Sequence, residues 1–395
     1  MIAKTVLITS GHLWDWCFKG GIHFLTKFFI NKGCRVAFLT IPFSIFTILH
    51  SYKTYRSKRV PLAMKSWLKN GKIEYGGNFI SYVPFTLFHP GTGLPSFLNN
   101  NFMLNHFLDL SFPSLKQWLK RRNFDQPDIL MVESGLPASI SQIVKYEKMI
   151  CRISDDPSDL GYPDSVIKLE TDILKRSDIV LPVCKAIYDS TISRRGTDKG
   201  VYYLPNGVEI DIFQNRADNP PEYSNIPKPR AVYVGGLNGM VDFDLLSYTA
   251  ERLPKVSFVI IGPYSKIPLK EIPKNIYFLG GRSYHQLPSY LQNADVGLIP
   301  FQQSKKFDKM ERPIKFYQYV ASGLPVVSVS IGGLKVMEPY AFLANSYEDF
   351  SMAIKDAINV DDKYKDDLRN IAQEFSWENI YSQFEKILSE NNIHF

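Results

Sequence analysis

The chain has 395 residues, of which 45% are hydrophobic and 22% charged, with a formal net charge of +7. That length exceeds what a single growing core serves, and the composition excludes a disordered or fibrous chain, so two folded domains are expected. The charge is uneven: residues 1–125 hold sixteen Lys or Arg against four Asp or Glu, while the rest of the chain holds thirty against thirty-five. A basic first third suits an anionic lipid surface or an anionic acceptor, whereas nucleic acid is the weakest partner because no helix-turn-helix, zinc-finger, RRM or KH signature accompanies it.

Cys17, Cys34, Cys151 and Cys184 are scattered without metal-site spacing and read as reduced thiols of a cytosolic chain. No signal-peptide h-region precedes the first strand, and the apolar residues 36–50 are too short to span a bilayer, so the chain is expected to stay on the cytoplasmic side.

In chain order, a strand is predicted over Thr5 to Thr9, followed by the loop SGHLWDWCFKGG and a helix over Ile22 to Lys32. Residues just beyond strand ends bind ligands in open α/β sheets. His12, Trp14 and Asp15 are therefore acceptor candidates, with Gly20 and Gly21 letting backbone come close to a ligand. Strands follow over Arg35 to Ile41, Ile129 to Glu133, Met149 to Ile153 and Ile179 to Val183. Helices are predicted over Asn100 to Arg121, Ala138 to Lys145, Ser165 to Arg176 and Lys185 to Arg194. This is one Rossmann-like domain over 1–213, and Glu133 joins the acceptor candidates. Two apolar stretches in it, Ile41 to His50 and Leu104 to Trp118, are flanked by Lys53, Arg56, Lys58 and Arg59, and by Lys120, Arg121 and Arg122. Apolar matter beside cations suits a peripheral contact with an anionic membrane; core packing with solvated charges is the competing reading.

Asp155 and Asp156 follow the strand ending at Ile153 and are candidates for a general base that takes the proton of an acceptor hydroxyl. With Pro157, Ser158 and Asp159 they also fit a turn and helix cap. After Asn206 and Gly207, residues 214–229 read as a linker, and the βα pattern restarts. Strands are predicted over Ala231 to Val234, Ser257 to Ile261, Ile276 to Leu279, Val296 to Pro300 and Val326 to Ser330, making a second Rossmann-like domain over 214–375. Helical spacing of Trp377, Ile380, Tyr381, Phe384 and Ile387 marks a last helix within 376–395.

Gly235 and Gly236 close the first strand of that second domain, where their N–H groups can cradle a diphosphate. Asp242 and Asp244 form an Asp-x-Asp that reads as the acidic start of a helix rather than a metal site. The stretch ERPIKFYQYVASGLPVVS, residues 311–328, predicts a helix from Ile314 to Ala321, a stop at Ser322 and Gly323, and a buried strand. Lys315 and Gln318 share one face of that helix. Near its N-terminus Lys315 adds a full charge to an anion-favouring site, and Gln318 reaches a ribose hydroxyl. Ile314, Phe301 and Arg282 complete the donor candidates.

The segment around Lys315, with the Gly20–Gly21 opening, resembles GT-B glycosyltransferases, in which a Lys and an acidic residue one turn on contact a nucleotide sugar; here Gln318 replaces the usual Glu. IHFLTKFF, VESG, RISD and the P-x-K-x-x-Q pattern of Pro313, Lys315 and Gln318 resemble, more narrowly, the bacterial glucuronosyltransferase of xanthan assembly and its relatives. The resemblance implies two Rossmann-like domains facing across a cleft, with a C-terminal helix crossing back to the first. It implies transfer of a sugar, glucuronic acid in the relative, from a UDP-sugar to a polyprenyl-diphosphate-linked oligosaccharide in exopolysaccharide biosynthesis. Asp155 inherits the role of base in an inverting transfer, Lys315 and Gln318 contact UDP, no metal or further cofactor is expected, and the protein is placed peripherally at the inner face of the cell membrane. One departure is that Gly281 and Arg282 stand where the relative has an acidic residue. A retaining GT-B hexosyltransferase and a catalytically silent GT-B scaffold, the latter favoured by Gln318, stay open.

Overall fold

The computed structural model describes residues 3–16, 19–51, 59–88, 90, 101–155, 164–237, 240–264, 269, 271–303 and 312–395. Two compact units emerge: residues 1–205 together with 381–395, and residues 206–380.

The first unit is built on a seven-stranded sheet of order β3-β4-β2-β1-β5-β6-β7. Its strands are β1 (Thr5–Ser10), β2 (Arg35–Thr40), β3 (Lys72–Glu74), β4 (Phe79–Tyr82), β5 (Ile129–Glu133), β6 (Lys148–Ile153) and β7 (Ile179–Pro182). All pairings are parallel except β3 on β4. The inner strands are continuous apolar runs, buried at nearly every position, as a parallel sheet covered on both faces requires. Val6 of β1 pairs with Val36 of β2 on one side and with Ile129 of β5 on the other. The strand order therefore reverses at β1, and the carboxyl ends of β1 and β5 mark the unit's topological switch point, where such sheets take ligands.

The second unit repeats the plan with six parallel strands in the order β10-β9-β8-β11-β12-β13. They are β8 (Arg230–Val234), β9 (Ser257–Ile261), β10 (Ile276–Gly280), β11 (Val296–Ile299), β12 (Val326–Val329) and β13 (Phe342–Ala344). Here the order reverses between β8 and β11, since Ala231 pairs with both Phe258 and Val296. The last helix, Trp377–Glu390, starts in the second unit and from Tyr381 belongs to the first. There Tyr381 Oη donates to Phe24 O at 3.0 Å, and the Phe384 ring lies 5.0 Å from that of Phe28.

Three expectations are corrected. The long helix predicted from Asn100 is two helices, Asn101–His106 and Leu115–Arg121, joined through a 3-10 turn over Phe107–Leu110. Pro113 lacks the N–H that would continue the ladder, and Ser114 starts the second helix by accepting from Gln117 N. The helix predicted over Ala138 to Lys145 is a 3-10 segment, Leu136–Gln142, with Pro137 in its first turn. The antiparallel edge pair β3 and β4 lies in a span for which no strand was predicted. The described cysteines Cys34, Cys151 and Cys184 are free and buried, whereas Cys17 lies outside the described residues. Among the described residues no helix is long and apolar enough to cross a membrane.

Candidate functional site

Each unit gathers a set of candidate residues at its own switch point. In the second unit, β8 is followed by Gly235, whose φ of +147° is one that residues with a Cβ rarely adopt; its N–H, expected to cradle a diphosphate, instead donates to Ile261 O at 2.9 Å, which leaves that role to Gly236. A Cβ there would meet Tyr233 Oη at 2.8 Å and Lys315 Cε at 3.2 Å. Gly262, just beyond β9, is tighter still, since its Cβ would sit 1.7 Å from Gly235 O. Only glycine allows these backbones and the Lys315 stem to meet.

The helix Ile314–Ala321 that carries Lys315 is pinned from behind by Tyr319. That buried hydroxyl accepts from Val234 N at 3.0 Å and donates to Leu298 O at 3.2 Å, tying the helix to β8 and β11. Gly297 leaves room for the ring, for a Cβ there would stand 2.6 Å from Tyr319. The helix opens on Pro313 with no side-chain cap, so its first-turn N–H groups meet no capping side chain. Lys315 is half-buried, its Nζ 4.4 Å from the Phe301 ring centroid and 5.1 Å from that of Tyr233. Burial pushes the ammonium down to about 7, and no charged group among the described residues opposes that. The ring faces return part of the lost solvation. Gln318 is 7% exposed, and its side-chain amide has no hydrogen-bond partner among the described residues.

The other donor candidates divide. Phe301 is buried beneath Lys315, Ile314 opens the helix, and Gly236 accepts from Tyr233 Oη at 3.2 Å. Arg282 is engaged elsewhere: it donates to Glu222 Oε1 at 2.6 Å, to Tyr290 Oη at 2.7 Å and to Leu279 O at 2.6 Å, so its guanidinium bolts the exit of β10 to its own unit. Asp242 caps the helix Phe243–Arg252 by accepting from Leu245 N at 2.8 Å. Among the described residues no three His, Cys, Asp or Glu side chains are grouped to hold a metal ion.

In the first unit the carboxyl ends of β1, β5 and β6 converge. Glu133, at the end of β5 and with its side chain 12% exposed, accepts from Ser10 Oγ at 2.5 Å and Gly11 N at 3.0 Å. His12 follows: its N–H donates to Ser10 Oγ at 2.9 Å, its carbonyl accepts from Thr40 Oγ1 at 3.0 Å, and its Nε2 lies 3.9 Å from Glu133 Oε1. Arg59 donates to Gly11 O at 2.8 Å. Asp155, two residues past β6, is exposed. Surrounding protein and then the Glu133 charge nevertheless push its carboxyl above the usual carboxylate range, with His12 pulling the other way. Asp156 lies outside the described residues.

The Gly20–Gly21 opening works through His23. Gly20 N donates to His23 Nδ1 at 3.1 Å, which leaves Nε2 to carry the proton toward Leu13 O at 3.1 Å. Burial holds this imidazole neutral, down to about 3, and it stacks on Trp14 with ring centroids 5.6 Å apart. Gly21 is the first residue of the helix Gly21–Asn31, and the Gly20 backbone runs against the His12 ring. Asp15 points to a different duty: it pairs with Lys72 at 2.7 Å, beside Glu74, which accepts from Trp14 Nε1 at 2.8 Å. It anchors the loop to the β3–β4 edge instead of joining Glu133, His12 and Asp155. Sequence reasoning missed Tyr233, Tyr319, His23 and Ser10, and read Arg59 only as a cation flanking an apolar stretch, whereas it donates to Gly11 O. One signal was legible, the glycine inside the apolar run Val296–Ile299, since an interior strand glycine marks a close approach.

Residues 8–183 match the family model of the glucuronosyltransferase GumK N-terminal domain, and residues 228–359 match that of the glycosyl transferases group 1. TuaH of Bacillus subtilis (strain 168), named as a teichuronic acid biosynthesis glycosyltransferase, is 26% identical over 235 residues, which is 55% of this chain. The chain spans 58% of the length of that relative. Sucrose-phosphate synthase from Thermosynechococcus elongatus superposes with a TM-score of 0.70 at 15% identity, over 98% of both chains. HepE from Anabaena, solved with UDP and glucose, superposes with a TM-score of 0.65 at 15% identity, over 98% of this chain and 100% of that one. At such identities the likeness establishes the fold, which is GT-B.

Proposed function

We propose, of a chain that is a GumK-like GT-B glycosyltransferase by the matches of both its halves, that it moves a sugar from a UDP-sugar to a lipid-linked oligosaccharide of bacterial polysaccharide assembly. The sugar proposed is glucuronic acid, on the match of residues 8–183. In a single displacement the acceptor O–H bond breaks and its proton passes to Asp155. The acceptor oxygen bonds to the anomeric carbon while the bond from that carbon to the diphosphate oxygen breaks, so the configuration inverts. Lys315, the N–H group of Gly236 and the opening of the helix Ile314–Ala321 neutralise the departing UDP, and the Gln318 amide holds a ribose hydroxyl.

One observation carries this assignment. Lys315 is an ammonium half-buried over two aromatic faces and against a glycine backbone, with no carboxylate partner among the described residues. A diphosphate supplies the missing counter-charge. For the acceptor end, Phe46, Leu87, Leu110 and Phe112 are exposed apolar side chains in the basic first unit, and backbone bonds join their segments: Leu87 N to Leu110 O, and Phe112 N to Phe85 O. Lys116, Lys120 and Arg121 follow on the next helix. Apolar side chains beside cations favour peripheral binding to an anionic bilayer, where a lipid-linked acceptor resides.

A melting-temperature panel of UDP, GDP, ADP and the UDP-sugars tests the donor. UDP and one UDP-sugar are expected to raise the melting temperature, and more so at higher concentration, by mass action. Silence from every nucleotide sinks the proposal in favour of a scaffold, and a retained anomer in the product rejects the displacement.

A further inference from the structure

We infer that Glu133 is a positioning residue for proton removal: its carboxylate, anchored by the exit of β1, places a fixed negative charge beside His12 at the sheet end from which Asp155 departs. The inference rests on Asp155 as the base of the proposed transfer.

The geometry separates the two oxygens of Glu133. Oε2 is saturated by Ser10 Oγ and Gly11 N, both from the neighbouring strand, which fixes the carboxylate at the switch point of the sheet. Oε1 remains for His12 Nε2, 3.9 Å away, and that ring is steadied through its own backbone by Ser10 and Thr40. β5 and β6 are hydrogen-bonded neighbours with Glu133 opposite Arg152, so Asp155, three residues farther along, leaves the sheet at the same end. Among the described residues, the neighbouring basic groups have partners of their own or stay neutral. Arg152 turns its guanidinium to the Leu204 and Pro205 carbonyls; Arg59 meets the Gly11 carbonyl; His23 stays neutral; and Lys19 donates to the Trp14 carbonyl. Glu133 raises the proton affinity of Asp155, and His12 lowers it. A carboxylate facing a fixed like charge is a better proton acceptor once ionised than one alone.

The competing role is structural, in which Glu133 merely pins the Ser10–Gly11 turn. Glu133→Gln separates the two, because the amide oxygen still accepts from Ser10 and Gly11 while the charge is gone; Glu133→Asp keeps the charge and serves if the amide variant does not fold. The Asp155 carboxyl is followed by carbon-13 resonance against pH without substrate, and kcat/KM against pH with it. In Glu133→Gln the Asp155 midpoint is expected to fall measurably. The acid limb of kcat/KM moves down equally and its plateau drops several-fold. In Glu133→Asp both midpoints stay nearer the original. An Asp155 resonance whose midpoint is the same in the original chain, Glu133→Gln and Glu133→Asp overturns the inference. A resonance that moves while the acid limb stands still leaves the charge coupling intact and removes Asp155 as the base.

Discussion

Loss of solvent shifts the ionisation of both units' sites, and only the first unit adds a like charge to it. In the second, one cation lies against aromatic rings and glycine backbone and is lowered toward neutrality by burial, with no charged partner among the described residues. In the first, an exposed carboxyl is raised above its ordinary range by the surrounding protein and by a second carboxylate fixed on the neighbouring strand. An isolated buried charge waits for a counter-charge from a ligand, whereas paired like charges hold on to a proton. In the displacement proposed above, the contrast would divide the labour: one unit neutralising what departs and the other removing the proton of what attacks.

The largest effect should come from breaking the first unit's half of that contrast. Asp155→Asn keeps the shape and deletes the proposed base, so turnover is expected to fall by about 10²–10⁴-fold, the usual range for a positioned acid or base. UDP affinity, measured by calorimetry on the same variant, is expected to stay within about twofold, because the substitution leaves the second unit untouched. A variant with unimpaired turnover dismisses Asp155.

Next comes the cation. In the free protein Lys315 is charged below about 7 and neutral above it, while a bound diphosphate restores its charge. UDP binding should therefore take up about one proton near pH 8 and almost none near pH 6, and affinity should weaken by up to about tenfold per pH unit above 7. Lys315→Met is expected to lose roughly 10-fold or more in UDP affinity and this pH dependence with it. It is also expected to melt higher at neutral pH. A lysine with a depressed midpoint costs the fold stability as pH falls from the ordinary lysine range through about 7, and methionine removes that cost. Calorimetry in two buffers of unlike ionisation enthalpy counts the protons, and a count unchanged between pH 6 and pH 8 contradicts the isolated-cation description.

How much of this was legible follows the same division. The second unit's set was written locally: Pro313, Lys315 and Gln318 lie within six residues, and helix period alone puts the last two on one face. What the sequence could not show was the support, because Tyr319 finds Val234 and Leu298 across the sheet and Gly262 meets Gly235 through strand order. The first unit's set comes from three separate strands, so Asp155, Glu133 and His12 were each nameable as strand-end residues, yet their coupling depends on β1 lying between β2 and β5. Asp15 and Arg282 stand just beyond strand ends too, but ion pairs with Lys72 and Glu222 engage them, a choice of partner that spacing does not encode.

The smallest expected effect sharpens the contrast by making the second unit resemble the first. Gln318→Glu places a carboxylate one turn from Lys315, on the face the two residues share. With that counter-charge in place the ammonium no longer depends on a ligand to stay protonated, so its midpoint rises and the proton taken up with UDP near pH 8 shrinks toward zero. Affinity itself should change by less than about tenfold, since the new carboxylate opposes the diphosphate while offering the ribose a stronger acceptor. The proton count is thus the sensitive reading and the affinity the insensitive one. An unchanged count at pH 8 would mean that the side chains at 315 and 318 do not serve one ligand, and the pairing of helix face with nucleotide would have to be given up even if Lys315 still bound it.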